Sequence, residues 1–152
     1  MRVSAKTDYA LRASLELARA EGGHPVKADH IALAQQIPVR FLENILGELR
    51  HAGLVESRRG ADGGYMLARP GAAIALADVV RAVDGPLANV GGRRPDALEY
   101  PAGAEALRDV WVAVRAGLRE VLERTTLADI AAGQLPDAVA ALVEPEDAWQ
   151  PR

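Results

Sequence analysis

Cysteine is absent from this sequence of 152 residues. Without a thiol the chain has no disulfide, no thiolate zinc site, no cysteine nucleophile and no all-cysteine iron–sulfur cluster. Aromatic residues make up only 4% of the chain, whereas the wider hydrophobic set makes up 49%. Leu, Val and Ala must therefore do most of the packing in the core.

Long apolar runs are missing as well. No stretch approaches the roughly 18 consecutive apolar residues that a transmembrane helix needs. The first residues, MRVSAKTDYALRA, lack the apolar segment of a secretory signal. We expect a cytoplasmic protein with no membrane partner, built as one domain or as one domain with an added element.

Charge is divided unevenly along the chain. The net charge is −3, but residues 1–70 hold 10 Lys and Arg against 8 Asp and Glu, which is a net +2. Residues 71–152 hold 8 against 13, which is a net −5. Such asymmetry can accompany nucleic-acid binding. Because +2 is a small excess, a prediction of nucleic-acid binding must rest on where the basic residues lie in the sequence.

Three helices are predicted in the first third of the chain. The first runs from Ser4, a suitable cap, to about Arg19, and the second covers about residues 28–35. A short turn then leads to Pro38, which suits the first position of a third helix. The third helix has an apolar stripe at regular helical spacing, formed by Phe41, Leu42, Ile45, Leu46 and Leu49. Two helices joined by a tight turn indicate a helix-turn-helix, although from the helices alone an ordinary helical hairpin fits equally well.

A glycine-rich hairpin follows the third helix. Strands are predicted at residues 54–57 and 65–68, joined by the tip RRGADGG. Arg58 and Arg59 stand at the base of the tip, and arginine suits both phosphates and a narrow minor groove. Alone, the hairpin would be interpreted as a solvated surface feature. Directly after a helix-turn-helix, it indicates the wing of a winged helix.

The second half contains a short helix over Ile74 to Val83, an irregular stretch at residues 86–103 and the longest helix, at about 104–124. The longest helix has a single apolar face, formed by Leu107, Val110, Trp111, Val114, Leu118, Val121 and Leu122. At ~1.5 Å per residue this helix spans roughly 30 Å, too long for one small domain to cover. We expect the same helix of a second subunit to cover one side and the chain's own first helix to cover another.

The remaining residues predict short elements. Thr126 and Asp129 match a capping box at the start of a short helix that ends before Gly133. One or two helical turns are predicted near residues 137–143, followed by a poorly ordered acidic tail.

These motifs resemble the Rrf-two (Rrf2) family of bacterial winged helix-turn-helix repressors, the group that includes IscR, NsrR and CymR. The resemblance is carried in order by TDYALRASLELA, IPVRFLENILGELRHAGLVESRRGADGGYMLARP, IALADVVRAVDGP and TTLADI. It implies a mainly α fold with a small β-hairpin wing and a long dimerisation helix. The implied division is a DNA-binding domain at 1–84, a variable loop at the sensor position at 85–103, the dimerisation helix with the following short helix at 104–132, and an acidic tail at 133–152.

The resemblance further implies a homodimeric, sequence-specific transcriptional regulator, a repressor that binds a pseudo-palindromic DNA operator. Each recognition helix would lie in a major groove and each wing in a minor groove. The positions expected at the bases are Arg40, Phe41, Glu43 and Asn44, with Arg59 in the minor groove, and Val39 is also expected to contact DNA. Arginine, asparagine and glutamate suit guanine, adenine and cytosine respectively. The residues expected at phosphates are Lys27, Arg50, His51 and Arg58.

Two of these positions have an alternative role in which the side chain does not contact a base. Phe41 also fits the core stripe of its helix. For Glu43 the less favoured alternative is an exposed charge paired with a neighbouring side chain.

The iron–sulfur members of the family place three cysteines in the loop that corresponds to residues 86–103, where this chain has none. Asp8 matches a non-cysteine ligand of some members, but without a thiolate it is interpreted as a polar residue in the first turn of a helix. His24, His30 and His51 lack the close spacing of a metal site. We expect no cofactor and no metal site, and therefore a different signal.

A small-molecule effector is one such signal. It could bind in the loop or between the loop and the long helix, and its possible contacts are Arg93, Arg94, Tyr100 and Trp111. Tryptophan at such a position is more often part of the core, and paired arginines are more often solvated.

Two other functions are considered. A winged-helix module that binds proteins instead of DNA is the alternative, although the presence of Arg40, Arg58 and Arg59 argues against it. The pattern does not predict an enzyme, because there is no nucleophile–base pair. Gly60, Gly63 and Gly64 lie in a hairpin, not at the strand-to-helix turn of a nucleotide site.

Overall fold

The computed structural model describes residues 3–151. Residues 1, 2 and 152, which belong to the predicted DNA-binding domain and tail, lie outside the described residues. The α-helices are α1 (Ala5–Arg19), α2 (Ala28–Gln35), α3 (Val39–His51), α4 (Leu76–Asp84), α5 (Ala106–Leu122), α6 (Leu127–Ala131) and α7 (Asp137–Val143). The strands β1 (Val55–Arg58) and β2 (Gly64–Leu67) form an antiparallel hairpin. Short 3-10 turns lie at Gly71–Ala73, Pro95–Ala97 and Glu146–Trp149. The mainly α fold with one hairpin is as predicted.

Helix α1 lies at the centre of the fold. Ser4 caps it as predicted, because the Ser4 hydroxyl accepts a hydrogen bond from the Thr7 amide at 3.0 Å. Ala10 and Ala13 are fully buried, and their small side chains let α2, α3, α4, α6 and β2 pack around α1. The larger core side chains are Leu17, Ile31, Leu42, Ile45, Leu46, Leu49, Leu54, Val55, Ile74, Val79 and Leu127.

The helix-turn-helix consists of α2 and α3. The chain turns at Gln36, whose backbone is left-handed (φ 53°), and Pro38 caps α3. Pro38 therefore precedes the first helical residue instead of occupying that position, so the predicted start of α3 was wrong by one residue. The core stripe was wrong at Phe41, which is 41% exposed and stands at the edge of the stripe.

The wing is a hairpin with Val55 opposite Leu67 and Arg58 opposite Gly64. Each strand is shifted by one residue from its prediction, since Leu54 is buried ahead of β1 and β2 begins at Gly64. The hairpin also pairs with the segment before α2, because Val26 and Tyr65 exchange backbone hydrogen bonds of 2.8 and 2.7 Å.

Helix α6 packs against α1 and the Gly71–Ala73 turn. Its predicted capping box is confirmed, with the Thr126 amide donating to the Asp129 carboxylate at 2.8 Å. The Leu127 amide donates to the Ile74 carbonyl at 2.9 Å, and the Leu127 side chain is fully buried. Ile74 itself lies before α4, not within it as predicted. The division predicted from the sequence places α6 in one unit with the long helix. In the structure α6 contacts α1 and the Gly71–Ala73 turn.

Helix α5 is shorter than predicted at both ends, and none of its residues is buried within the chain. It lies against the Pro95–Ala97 turn and α4. On its α1 side lies a cavity of about 640 Å³, lined by Leu11, Val80, Leu118 and Leu122 among others. The expected cover from α1 is thus replaced by a space between the two helices.

The segment after Val143, expected to be poorly ordered, contains the 3-10 turn Glu146–Trp149. The Trp149 indole N–H donates to the Val143 carbonyl at 2.7 Å. This segment therefore has more local structure than the sequence predicts.

Candidate nucleic-acid interface

Helix α3 presents a polar outer face. Its inner side chains, Leu42, Ile45, Leu46 and Leu49, are buried and fix the rotation of the helix. Arg40, Glu43 and Asn44 are exposed as a result. None of these three side chains makes a hydrogen bond or ion pair with another described residue. The alternative for Glu43, a charge paired with a neighbour, is therefore not what the structure has.

Cations without a partner are concentrated in the helix-turn-helix and the wing. Most arginines of the described chain are paired, for example Arg81 with Glu123, and Arg124 with Glu120 at 2.9 Å. Within residues 3–151, the Lys and Arg side chains that make no hydrogen bond or ion pair with a described residue are Lys27, Arg40, Arg58 and Arg59. All four were predicted from the sequence as DNA-binding residues. His51 and Val39 are also exposed, at opposite ends of α3.

The wing tip carries Arg58 and Arg59 on an exposed turn. Gly60 has a positive φ of 108°, and its carbonyl accepts a hydrogen bond from the Gly63 amide at 3.0 Å. A Cβ at Gly63 would lie 2.3 Å from the Arg58 carbonyl oxygen, which no side chain can tolerate. The turn is thus closed by backbone alone, and both arginine side chains are directed to solvent.

Arg50 differs from the free cations. Its guanidinium donates to the Ser57 hydroxyl at 3.2 Å, which joins the last turn of α3 to β1. This contact links the end of α3 to the wing. The sequence did not predict it, because nothing in the local pattern pairs an exposed helix residue with a strand seven residues later.

The N-terminal end of α3 is held by residues that the sequence analysis missed. Phe41 meets the ring of Tyr9 edge-to-face, with centroids 5.7 Å apart, and the Arg12 guanidinium lies 5.5 Å from the centre of the same ring. Arg12 also donates to the Gln35 side chain at 3.1 Å and to the Gln35 carbonyl. Phe41 is therefore partly exposed, and its buried side packs against Tyr9 of α1. The spacing of four residues between Asp8 and Arg12 was the one available signal, and it shows only a pairing within α1.

The predicted effector contacts Arg93 and Arg94 are engaged within their own loop. Arg93 donates to the Ala97 carbonyl at 3.0 Å, and Arg94 pairs with Asp96 at 3.0 Å. The Arg115 guanidinium of α5 bonds to Asp96 as well and, with Arg94, lowers the pKa of that carboxyl. Trp111 and Tyr100 are half-buried. The space beside the loop is lined instead by residues 86–89, α1, α4 and α5.

The histidines do not assemble a metal site. Among residues 3–151 no group of three or more His, Cys, Asp or Glu side chains is placed to hold a metal ion. Asp8 pairs with Arg12 at 3.1 Å. Within the same range, no helix combines the length and the apolar character that a membrane crossing requires.

A recognition helix with a polar face, a basic wing and a long additional helix define a DNA-binding transcriptional regulator of the winged helix-turn-helix class. Residues 3–133 match the family model described as "Rrf2: Iron-dependent Transcriptional regulator". The chain belongs to the Rrf2 family.

Relatives and solved structures of transcriptional regulators support the same family. The chain is 54% identical over 144 residues to a protein of Mycobacterium tuberculosis named as an HTH-type transcriptional regulator, covering 95% of this chain and 89% of the relative. It is 37% identical to the HTH-type transcriptional regulator CymR of Bacillus subtilis, covering 86% and 90%. The structure of CymR, the global cysteine regulator of B. subtilis, superposes with a TM-score of 0.76 at 35% identity, covering 88% of this chain and 98% of that one. That of T. potens IscR gives 0.71 at 33% identity, covering 99% and 97%.

The family description mentions iron, and the residues of this chain do not fit a thiolate-held iron centre. The sequence has no cysteine, and Asp8, the one position that matches a ligand of some members, is in an ion pair with Arg12. A cluster would have no thiolate to hold it.

Proposed function

We propose that the chain is a cytoplasmic, homodimeric repressor that recognises a pseudo-palindromic operator. The observation that carries the proposal is the location of the free cations. Lys27, Arg40, Arg58 and Arg59 have no partner among the described residues, whereas the other Lys and Arg side chains in that range have one. Cations left unpaired in one stretch of the chain, from the start of α2 to the wing, suit a polyanion, because phosphates supply most of the affinity in DNA binding.

The residues divide by chemistry. Arg40 suits guanine and Asn44 suits adenine in a major groove, and Glu43 can accept from the cytosine amino group. Val39 and Phe41, which are 40% and 41% exposed, offer apolar surface to thymine methyl groups. Arg59 suits the minor groove. The residues proposed to hold phosphates are Lys27, Arg50, His51 and Arg58.

The dimer is proposed to form through α5. Leu107 and Val110 are 44% and 51% exposed, and the remaining apolar residues of its face are half-buried. An apolar face of this length is stabilised when a second copy covers it. We accordingly propose residues 1–84 as the DNA-binding domain, 85–103 as the variable loop, 104–132 as the dimerisation region and 133–152 as the acidic tail.

The signal is proposed to be a small molecule. The cavity of about 640 Å³ has mainly apolar walls and lies between the helices α1 and α4 and the C-terminal part of α5. Leu118 and Leu122 line it, so in this proposal they border both the ligand and the dimer interface. Its size is that of a ligand pocket. A molecule bound there would set the angle between α5 and the DNA-binding domain, and so the spacing of the two recognition helices.

Genomic footprinting of the purified protein tests the function and yields the operator. Binding should fall steeply with rising salt, because counterions are released from phosphates. Arg59→Ala should weaken operator binding by about 1–3 kcal/mol. Arg124→Ala, which removes a surface arginine paired with Glu120, is the matched control and should bind like the wild type. A wild-type protein that binds no DNA even at low salt would support the protein-interaction module instead.

A further inference from the structure

The glycine pair Gly63–Gly64 joins the wing to the helical domain through backbone contacts. A Cβ at Gly64 would lie 2.6 Å from the Val26 carbonyl oxygen and 3.1 Å from the Lys27 amide nitrogen. Its φ of +154° is unfavourable for a residue with a side chain. The next residue, Tyr65, exchanges backbone hydrogen bonds of 2.7 and 2.8 Å with Val26. The first residues of β2, Gly64 and Tyr65, are therefore in close backbone contact with Val26 and Lys27, which precede α2.

The other glycine of the pair lies against the wing arginines. A Cβ at Gly63 would be 2.3 Å from the Arg58 carbonyl oxygen and 2.9 Å from the Arg59 carbonyl carbon. Gly63 is buried, although residues 58–62 of the tip are exposed. The backbone that carries Arg58 and Arg59 is therefore folded onto Gly63, next to the contact that Gly64 makes with Val26 and Lys27.

We propose that Gly63 and Gly64 are positioning residues that hold Arg58 and Arg59 at a fixed distance from Lys27, so that the three cations bind DNA as one unit. The inference rests on the proposed function and goes beyond it, because neither glycine has a side chain with which to bind DNA. Lys27, Arg58 and Arg59 have no partner among the described residues, so the backbone is what sets their positions. Cations held in place lose less freedom on binding than cations on an independent loop.

Gly64→Ala should separate the wing from Lys27 while leaving the core in place. The new Cβ meets backbone atoms, which cannot move aside by changing rotamer as a flexible side chain can. The fully buried side chains of the core surround α1, and the segments that Gly64 touches reach this core only through the partly buried Val26 and Tyr65. We expect operator affinity to fall about tenfold to a hundredfold. The salt slope should decrease by up to about two, since each phosphate contact contributes about 0.9.

The decisive measurement is a double-mutant cycle of Gly64→Ala with Arg59→Ala on the footprinted operator. If Gly64 positions Arg59, the arginine is already out of place in Gly64→Ala, and removing it should cost less than twofold more. Gly133→Ala is the control, because Gly133 also has a positive φ, of 68°, its Cβ would meet no atom within 4 Å, and it lies outside the wing. In the Gly133→Ala background, Arg59→Ala should retain its full effect. Additive losses with an unchanged salt slope would overturn the proposal.

A second cycle keeps the proposal testable if Gly64→Ala does not fold. In the otherwise wild-type chain, the effects of Lys27→Ala and Arg59→Ala on operator affinity should be non-additive. The fold-loss of affinity in the double variant should be at least threefold smaller than the product of the two single fold-losses. If the loss in the double variant equals that product to within about twofold, the two residues contact DNA independently, and the proposal that they act as one unit is wrong. Failure of the proposed function is a separate result, because the wild-type protein would then bind no operator at all.

Discussion

Gln36 makes the turn of the helix-turn-helix in a left-handed conformation, with φ 53° and ψ 45°. This conformation costs an L-residue about 1–2 kcal/mol, and glycine adopts it without that cost. The amide of Gln36 caps α2 through backbone bonds that any residue can make. Gln36→Gly should raise the free energy of unfolding by about 0.5–1 kcal/mol, after the greater freedom of the unfolded chain is subtracted. Urea denaturation measures the change.

Ala34→Gly is the matched control for that substitution. Ala34 is exposed in the last turn of α2, and glycine there should lower the free energy of unfolding by about 0.5–1 kcal/mol. If both variants lose stability equally, the left-handed turn at Gln36 carries no cost.

Roles of single residues were only partly predictable from the sequence. Arg40, Arg58, Arg59 and Lys27 were picked out by their positions in motifs, but their lack of partners depends on which acidic residues the fold brings near. Ion pairs such as that of Arg81 with Glu123, 42 positions apart, have no local signature. Phe41 followed the core periodicity yet is half-exposed, because it lies at the edge of the stripe and meets Tyr9.

Helices were predicted more accurately than the segments between them. The ends of α1, α3 and α6 carry local capping signals, at Ser4, at Gly53 with its φ of +72°, and at Thr126 with Asp129. Such signals act within one turn and are visible in sequence. The 3-10 turns and the exact strand ends were missed. They depend on contacts between distant segments, such as the bond between the Ala68 amide and the Leu54 carbonyl at 3.0 Å.

The start of α1 is tied to the end of α4 through Asp84. Its carboxylate accepts hydrogen bonds from the Thr7 hydroxyl and from the Ser4 hydroxyl, the latter at 2.7 Å. The Lys6 ammonium donates to the neighbouring Val83 carbonyl at 2.8 Å. These hydroxyl bonds, led by that of Thr7, lower the pKa of Asp84 below 3.8. The folded state therefore favours the ionised carboxylate.

Asp84→Asn should lower the free energy of unfolding by about 1 kcal/mol near neutral pH, a value reduced for the solvent exposure of the group. Because the pKa of Asp84 is lowered in the folded state, its stabilisation is present above the ordinary carboxyl pKa and is lost as pH falls through the lowered value. The difference between Asp84→Asn and the wild type should therefore shrink in acid. Urea denaturation at neutral and acidic pH measures it.

Asp62→Asn is the control for Asp84→Asn. Asp62 lies in the exposed wing tip and makes no hydrogen bond with a described residue, so its substitution should leave stability near neutral pH unchanged. A constant difference between Asp84→Asn and the wild type down to strong acid would contradict the role given to ionised Asp84.

The whole molecule has a basic working face and an acidic remainder. The free cations lie in the winged helix, and residues 71–152 carry a net −5. An acidic second half is repelled by DNA and favours an orientation in which only the winged helix approaches it. The class of fold followed from periodicity and turn chemistry. The cavity beside α5 did not, because a space between helices depends on their relative placement and has no signature in any one of them.

Val114→Glu is the test of the proposed dimer. Val114 lies in the middle of the apolar face of α5, where a carboxylate would be buried without a partner, at a cost of several kcal/mol. The variant should be monomeric by light scattering at micromolar concentration. Since a monomer holds only one half-site, operator affinity should fall by about a hundredfold or more. Ala113→Glu places the same charge on the exposed side of α5 and should remain dimeric. A monomeric wild-type protein, or an intact dimer in Val114→Glu, would rule out α5 as the dimer interface.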